Sequence, residues 1–133
     1  MPAQVLDSFA LLAYFRGEPS GALVRELLYK ASKADKPIHM CEANYAEVKY
    51  MILRKDGVKA WNKAGGILLA LPIEFHPVDR ELADLAADIK SRHRLSLADA
   101  FAAALARKQE ADLVTGDVEF KSLEKEIRVL WMT

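Results

Sequence analysis

Short apolar runs alternate with longer amphipathic stretches along the chain. Val5-Leu6 reads as the end of a short strand that stops at Asp7. Ser8 to Phe15 then reads as a helix, closed by Gly17 and Pro19. From Gly21 to Lys33 the period is again helical, with Leu23, Leu27 and Leu28 on one face and Arg25, Lys30 and Lys33 off it. Pro37 opens a second strand, Ile38 to Cys41. A helix is expected from Asn44 to Lys55, ended by Gly57, and another from Val58 to Leu71, weakened by Gly65-Gly66 and stopped by Pro72. Ile73 to His76 reads as a third strand. Asp79 to Arg92 carries an inner stripe of Leu82, Leu85, Ala86 and Ile89, and Ser96 to Gln109 is an Ala-rich helix. Asp112 to Thr115 is a fourth strand, Val118 to Lys125 a short helix, and Ile127 to Met132 a final strand.

Strands separated by helices imply βαβ units, and hence a mainly parallel sheet covered on both faces. The expected fold class is α/β: a three-layer α/β/α sandwich around a short, mainly parallel sheet of four or five strands. No linker or internal repeat interrupts the pattern, so residues 1–133 read as a single domain.

Composition narrows the functional classes. The chain is 52% hydrophobic and 29% charged, as expected of a globular protein with a real core. Its 19 basic and 19 acidic residues cancel, so no global field captures a polyanion, and any grip on nucleic acid must come from a local basic patch. One cysteine, Cys41, excludes an internal disulfide and points to a reducing compartment; within Ile38-His39-Met40-Cys41 it reads as a small buried hydrophobe. The three His and the one Cys are isolated from one another, so no zinc spacing is visible. Apolar runs fall far short of the ~20 residues a membrane span needs. The N-terminus shows no signal-peptide pattern, and the expected location is the cytoplasm.

In parallel sheets, chemistry collects beyond the carboxyl ends of the strands. Four acids stand at such junctions. Asp7 follows the first strand, and Asp117 follows the fourth in Thr115-Gly116-Asp117. Glu47 is expected in the first turn of the helix after the second strand, and Asp99 in the first turn of the Ala-rich helix. Each has a plain alternative. Asp7 and Asp117 suit N-caps, and Asn44-x-x-Glu47 and Ser96-x-x-Asp99 resemble capping boxes. Taken jointly, they suggest more. Asp99 is the lone charge in Leu97-Ala98-Asp99-Ala100-Phe101-Ala102-Ala103-Ala104, and an acid in a helix that must be buried is costly unless paired or metal-bound. Gly116 would let the backbone approach a ligand closely. Carboxylates converging without basic partners repel, and Mg²⁺ or Mn²⁺ relieves that repulsion. Such ions commonly meet phosphates, which makes phosphodiester hydrolysis the natural reaction class.

These segments resemble the PIN-domain family, and among its members the VapC-type toxins. Asp7-Ser8-Phe9-Ala10-Leu11-Leu12-Ala13-Tyr14-Phe15 with Gly17-Glu18-Pro19 is similar to its N-terminal signature. Asn44-Tyr45-Ala46-Glu47-Val48, the segment Ser96 to Ala106, and Leu113-Val114-Thr115-Gly116-Asp117-Val118-Glu119-Phe120 are similar to its later acidic motifs. Each motif alone is weak; their order and spacing from Val5 to about Leu130 are specific. The resemblance implies Mg²⁺ or Mn²⁺ held by Asp7, Glu47, Asp99 and Asp117, with Ser8 and Thr115 as supporting polar groups. Asp7, Asp99 and Asp117 are expected in the inner metal shell, with Glu47 orienting water or completing a second site. It also implies RNA cut by an activated water, a VapB-type antitoxin as inhibitor, and a homodimer. Lys49, Arg92 and Arg94 are candidate phosphate contacts, with solvated surface positions as the alternative.

Three rivals stand beside this reading. Phosphoaspartyl enzymes place acids at strand ends, but Asp7 lacks the second Asp two residues on that dehalogenase-like enzymes need. A non-catalytic PIN-like binding module would be expected to lose its acids. A housekeeping RNA-processing nuclease shares the chemistry and differs in biological role.

Overall fold

The computed structural model describes residues 2–132. Five strands form one sheet: β1 (Gln4–Leu6), β2 (Ile38–Cys41), β3 (Ile73–His76), β4 (Asp112–Thr115) and β5 (Val129–Trp131). Their order is β3-β2-β1-β4-β5, and every pairing is parallel. The expectation of a mainly parallel sheet of four or five strands thus resolves to five, all parallel. Among the described residues six α-helices cover it: α1 (Ser8–Phe15), α2 (Gly21–Ala34), α3 (Glu42–Lys55), α4 (Val58–Leu68), α5 (Arg80–Arg92) and α6 (Leu97–Lys108).

Strand alternation divides the core into two layers. Val5, Cys41 and Leu113 face α5 and α6, where Leu82, Ala86, Ile89 and Phe101 pack with the buried alanines 102–104 and 106. Leu6, Ile38, Met40 and Val114 face the other way, onto Leu11, Val24, Leu27, Val48, Ile52 and Leu68 from α1 to α4. The α/β/α sandwich follows from that two-sided burial. The small alanine side chains of α6 let the helix lie close to the sheet.

Several boundaries differ from the sequence expectation. α3 starts at Glu42, straight from the strand, with Cys41 as a cap that offers no side-chain hydrogen bond. Glu47 therefore lies in the second turn, and Asn44-x-x-Glu47 is not a capping box. α4 stops at Leu68, and the chain turns through Leu69, which is 92% exposed, before Pro72. The segment after β4 is a six-residue 3-10 turn, Val118–Leu123, and β5 is confined to Val129–Trp131. Both are short C-terminal pieces, where apolar periodicity has little length in which to register.

The connections leave β1 in one direction to β2 and β3, then return across β1 to β4 and β5. Strand order therefore reverses between β1 and β4. A crevice opens at such a reversal beyond the carboxyl ends of the strands. Asp7 follows β1 and Asp117 follows β4, on the two sides of this crevice.

Candidate active site

Asp7 caps α1: Oδ1 accepts the Ala10 amide at 2.8 Å. Its other oxygen, Oδ2, accepts the Thr115 hydroxyl, which ties β1 to β4 directly above the sheet. The Thr115 oxygen in turn accepts the Asp117 amide at 3.0 Å. Asp117 caps the 3-10 turn by accepting the Glu119 amide at 2.9 Å. One hydroxyl thus links the two acids that flank the crevice.

A second set of hydrogen bonds locks the helices that carry the remaining acids. Asn44, fully buried in α3, donates from Nδ2 to Ser8 Oγ at 3.2 Å and to the Ala98 carbonyl at 3.0 Å. Ser8 Oγ donates back to the Asn44 carbonyl at 3.3 Å. These bonds join the starts of α1, α3 and α6, fixing Asp7, Glu47 and Asp99 relative to one another. Ser96 caps α6 by accepting the Asp99 amide at 3.1 Å, which is half of the expected capping box.

The acids that result are of two kinds. Asp99, Asp117 and Glu119 present carboxylate oxygens that all lie within 4.8 Å of one another. Asp7 is buried beneath them, and its carboxyl is pushed up to about 7, above all by burial; the charges of Asp99 and Asp117 add to this, while the Thr115 and Ala10 donors oppose it. Asp99 is pushed up to about 6 by burial first and then by Asp117, with Glu47 and Glu119 contributing. The carboxylates of Asp7, Glu47, Asp99, Asp117 and Glu119 thus share one field. Among the described residues none of the five is in an ion pair.

Two residues in this arrangement have roles that sequence reasoning did not assign. Glu119 joins Asp99 and Asp117 in the close cluster, an acid that the sequence reading does not name. Its signal was an acid two residues beyond a capping acid, which the tight turn folds back onto the cap. The sequence suits Asn44 to a cap; its burial inside α3 makes it a tie between three helices instead.

Gly116 also makes room within the chain. A Cβ there would lie 2.4 Å from Cε1 of the Phe9 ring, so the glycine admits a side chain of this same chain. The basic candidates also separate. Arg92 is engaged by Glu126 through two nitrogens at 2.9 Å each and by Asp88 at 3.0 Å. The Lys49 ammonium sits 5.4 Å from the centroid of the Trp61 ring. Arg94 is exposed and takes part in no ion pair among the described residues. Cys41 is fully buried, and burial pushes its thiol up, consistent with a packing role.

Compared with known families, residues 5–126 match the PIN domain model. The chain belongs to the PIN domain family. Solved structures share the fold along nearly its whole length. A chain in the DNA-bound VapBC of Salmonella typhimurium superposes with a TM-score of 0.75 at 15% identity, covering 100% of both chains. A chain in a toxin–antitoxin complex from Klebsiella pneumoniae gives 0.70 at 17% identity, covering 98% of each. Mycobacterium tuberculosis VapC20, described as a Sarcin-Ricin loop cleaving toxin, gives 0.67 at 21% identity, covering 90% of this chain and 94% of that one. No curated protein matches by sequence. No helix among the described residues is long and apolar enough to cross a membrane.

Proposed function

We propose that this PIN domain is a metal-dependent ribonuclease and the toxin of a VapBC-type toxin–antitoxin pair. The observation that carries the proposal is the meeting of Asp99, from the start of α6, with Asp117 and Glu119 of the turn after β4, none of them in an ion pair among the described residues. The donor set fits Mg²⁺ or Mn²⁺, since every side chain offered is a hard oxygen ligand and no imidazole or thiolate belongs to the cluster. Asp99, Asp117 and Glu119 would hold the ion, with Asp7 beneath and Glu47 beside Asp99. A bound divalent ion supplies Lewis acidity at a phosphodiester and lowers the pKa of the attacking water.

The chain's own residues do the rest. Thr115 holds Asp7 and Asp117 in one arrangement, and Ser8 and Asn44 keep the helix starts from spreading apart. The shared negative field makes the site intolerant of a bare phosphate and receptive to a phosphate that arrives with a cation. Arg94 and Lys49 are the side chains proposed to take neighbouring RNA phosphates. The VapB-type partner, the RNA substrate and the homodimer rest on likeness to the VapBC structures, and the cytoplasmic location on the sequence.

The deciding experiment incubates purified protein with end-labelled RNA in Mg²⁺, Mn²⁺ or chelator. Cleavage should need the metal and fall by roughly a hundredfold or more in Asp99→Asn and Asp117→Asn. Cleavage that persists in chelator, or in both variants, overturns the nuclease reading. Growth arrest on expression, relieved by the product of an adjacent gene, tests the toxin role; normal growth of an active enzyme would favour an RNA-processing role.

A further inference from the structure

Two histidines distant in the sequence come together at the sheet edge. β2 and β3 pair in register with His39 opposite Glu74 and Cys41 opposite His76. Alternation places Glu74 and His76 on one face of β3, and parallel pairing brings His39 to the same face. Ile38, Met40, Ile73 and Phe75 point the other way, into the layer of α1 to α4. The histidines isolated in sequence are therefore neighbours in the fold, which corrects the expectation that no zinc-type grouping exists.

We propose that His39, Glu74 and His76 form a second metal site, for a borderline divalent ion of the Zn²⁺ class, separate from the acidic cluster. His39 Nδ1 lies 2.8 Å from His76 Nε2, His76 Nε2 lies 3.1 Å from Glu74 Oε2, and His39 Nδ1 lies 3.7 Å from that same oxygen. A tetrahedral ion with bonds of about 2.0–2.1 Å sets its ligand atoms roughly 3.3 Å apart, inside the span of these three edges. The side chains of His39 and His76 are only 16% and 19% exposed, whereas Glu74 is 54% exposed. The imidazoles are thus held in place while the carboxylate side stays open for entry and for a water as fourth ligand.

Ligand chemistry separates the two sites. Two imidazoles and one carboxylate suit Zn²⁺, Co²⁺ or Ni²⁺, whereas the all-carboxylate cluster suits Mg²⁺ or Mn²⁺. They are also apart in the fold: β3 is the edge strand, and β2 stands between it and β1, which Asp7 follows. An ion here would pin the edge strand to its neighbour. The competing arrangement is a proton on His76 Nε2 shared between His39 and Glu74, with no metal involved.

The test titrates metal-free protein with Zn²⁺ and Co²⁺ in excess Mg²⁺. The expected result is one tight equivalent per chain and a visible Co²⁺ spectrum of four-coordinate intensity that Zn²⁺ displaces. His39→Gln and His76→Ala should each weaken binding at least tenfold, while Asp99→Asn leaves it unchanged. In wild-type protein, Co²⁺ should broaden amide signals of β2 and β3 before those of the 3-10 turn, a readout that does not depend on the variants folding. Absence of Zn²⁺ binding at micromolar concentration, binding indifferent to the histidine substitutions, or broadening centred on Asp117 would overturn the proposal.

Discussion

The Asp7 carboxyl is enclosed, yet both oxygens already have partners in Ala10 and Thr115. Burial still wins. Its rise from 3.8 to about 7 means that ionising it in the metal-free fold costs on the order of 4 kcal/mol more than in the unfolded chain. An unfolded Asp ionises near 3.8, whereas Asp7 and Asp99 in the fold ionise near 7 and 6. Between about pH 4 and pH 7 the fold therefore binds more protons than the unfolded chain, and stability declines as pH rises. Urea denaturation of metal-free protein should show greater stability at pH 5 than at pH 8, and saturating Mn²⁺ should flatten the difference. Glu126 acts in the opposite direction and in another window. Its carboxyl is held at about 2 by Arg92, so its contribution is present above about 4.5 and fades only as pH falls toward 2. Thr115→Val removes a donor that lowers Asp7, so the decline should extend to higher pH, and Thr115→Ser should restore it. Asp99→Asn removes a charge that faces Asp117 and Glu119. Cleavage should fall by roughly a hundredfold or more, while metal-free stability holds or rises. A large stability loss instead would mean that Asp99 serves the helix rather than the reaction.

At the scale of elements, periodicity placed nearly all the secondary structure. Long elements such as α2, α5 and α6 were legible because three or more turns repeat the apolar stripe. Short ones were not: a six-residue 3-10 turn and a three-residue strand leave no period to count, so Val118–Leu123 and Val129–Trp131 were overextended. Asp7, Asp99 and Asp117 could be picked out because they stand at element starts where a cap is also favoured. Glu119 and Asn44 could not, since their neighbours come from turn geometry and tertiary contact. Gly116 and Gly21 show the same limit, because no local signal tells what a glycine faces. At Gly21 a Cβ would meet the Ala13 carbonyl oxygen at 2.6 Å, which is backbone and cannot swing aside. At Gly116 it would meet the far end of the Phe9 side chain, which is 41% exposed and can move outward. Gly21→Ala should therefore cost about 1–3 kcal/mol by forcing α1 and α2 apart, and Gly116→Ala less. Chemical denaturation would rank the two, and Phe9→Ala should relieve the Gly116→Ala cost while leaving that of Gly21→Ala untouched.

At the scale of the whole molecule, a chain with 19 positive and 19 negative side chains has no net field to draw RNA in. On the proposed ribonuclease reading, affinity for RNA would rest on a few cations near the acidic crevice, and their ion pairs separate them. Arg92 is held by Glu126 and Asp88, so its charge is already compensated. Arg94, five residues before Asp99, is exposed and carries no such partner among the described residues. Each phosphate neutralised on a single strand contributes about −0.7 to the slope of log K against log salt. Binding should then be weakly salt-dependent, with a slope of about −1.4 for contacts from Arg94 and Lys49 rather than the steep slopes of strongly basic proteins. Anisotropy with Asp99→Asn protein in Mg²⁺ would measure it without cleavage. Adding Arg94→Ala should reduce the slope by about 0.7 and weaken binding for every RNA alike, the mark of a phosphate contact. Adding Arg92→Ala should leave the slope in place, because that guanidinium serves the ion pairs with Glu126 and Asp88. Equal slopes with and without Arg94 would move the RNA path away from the α5–α6 junction, toward Lys49 and the Trp61 ring it covers.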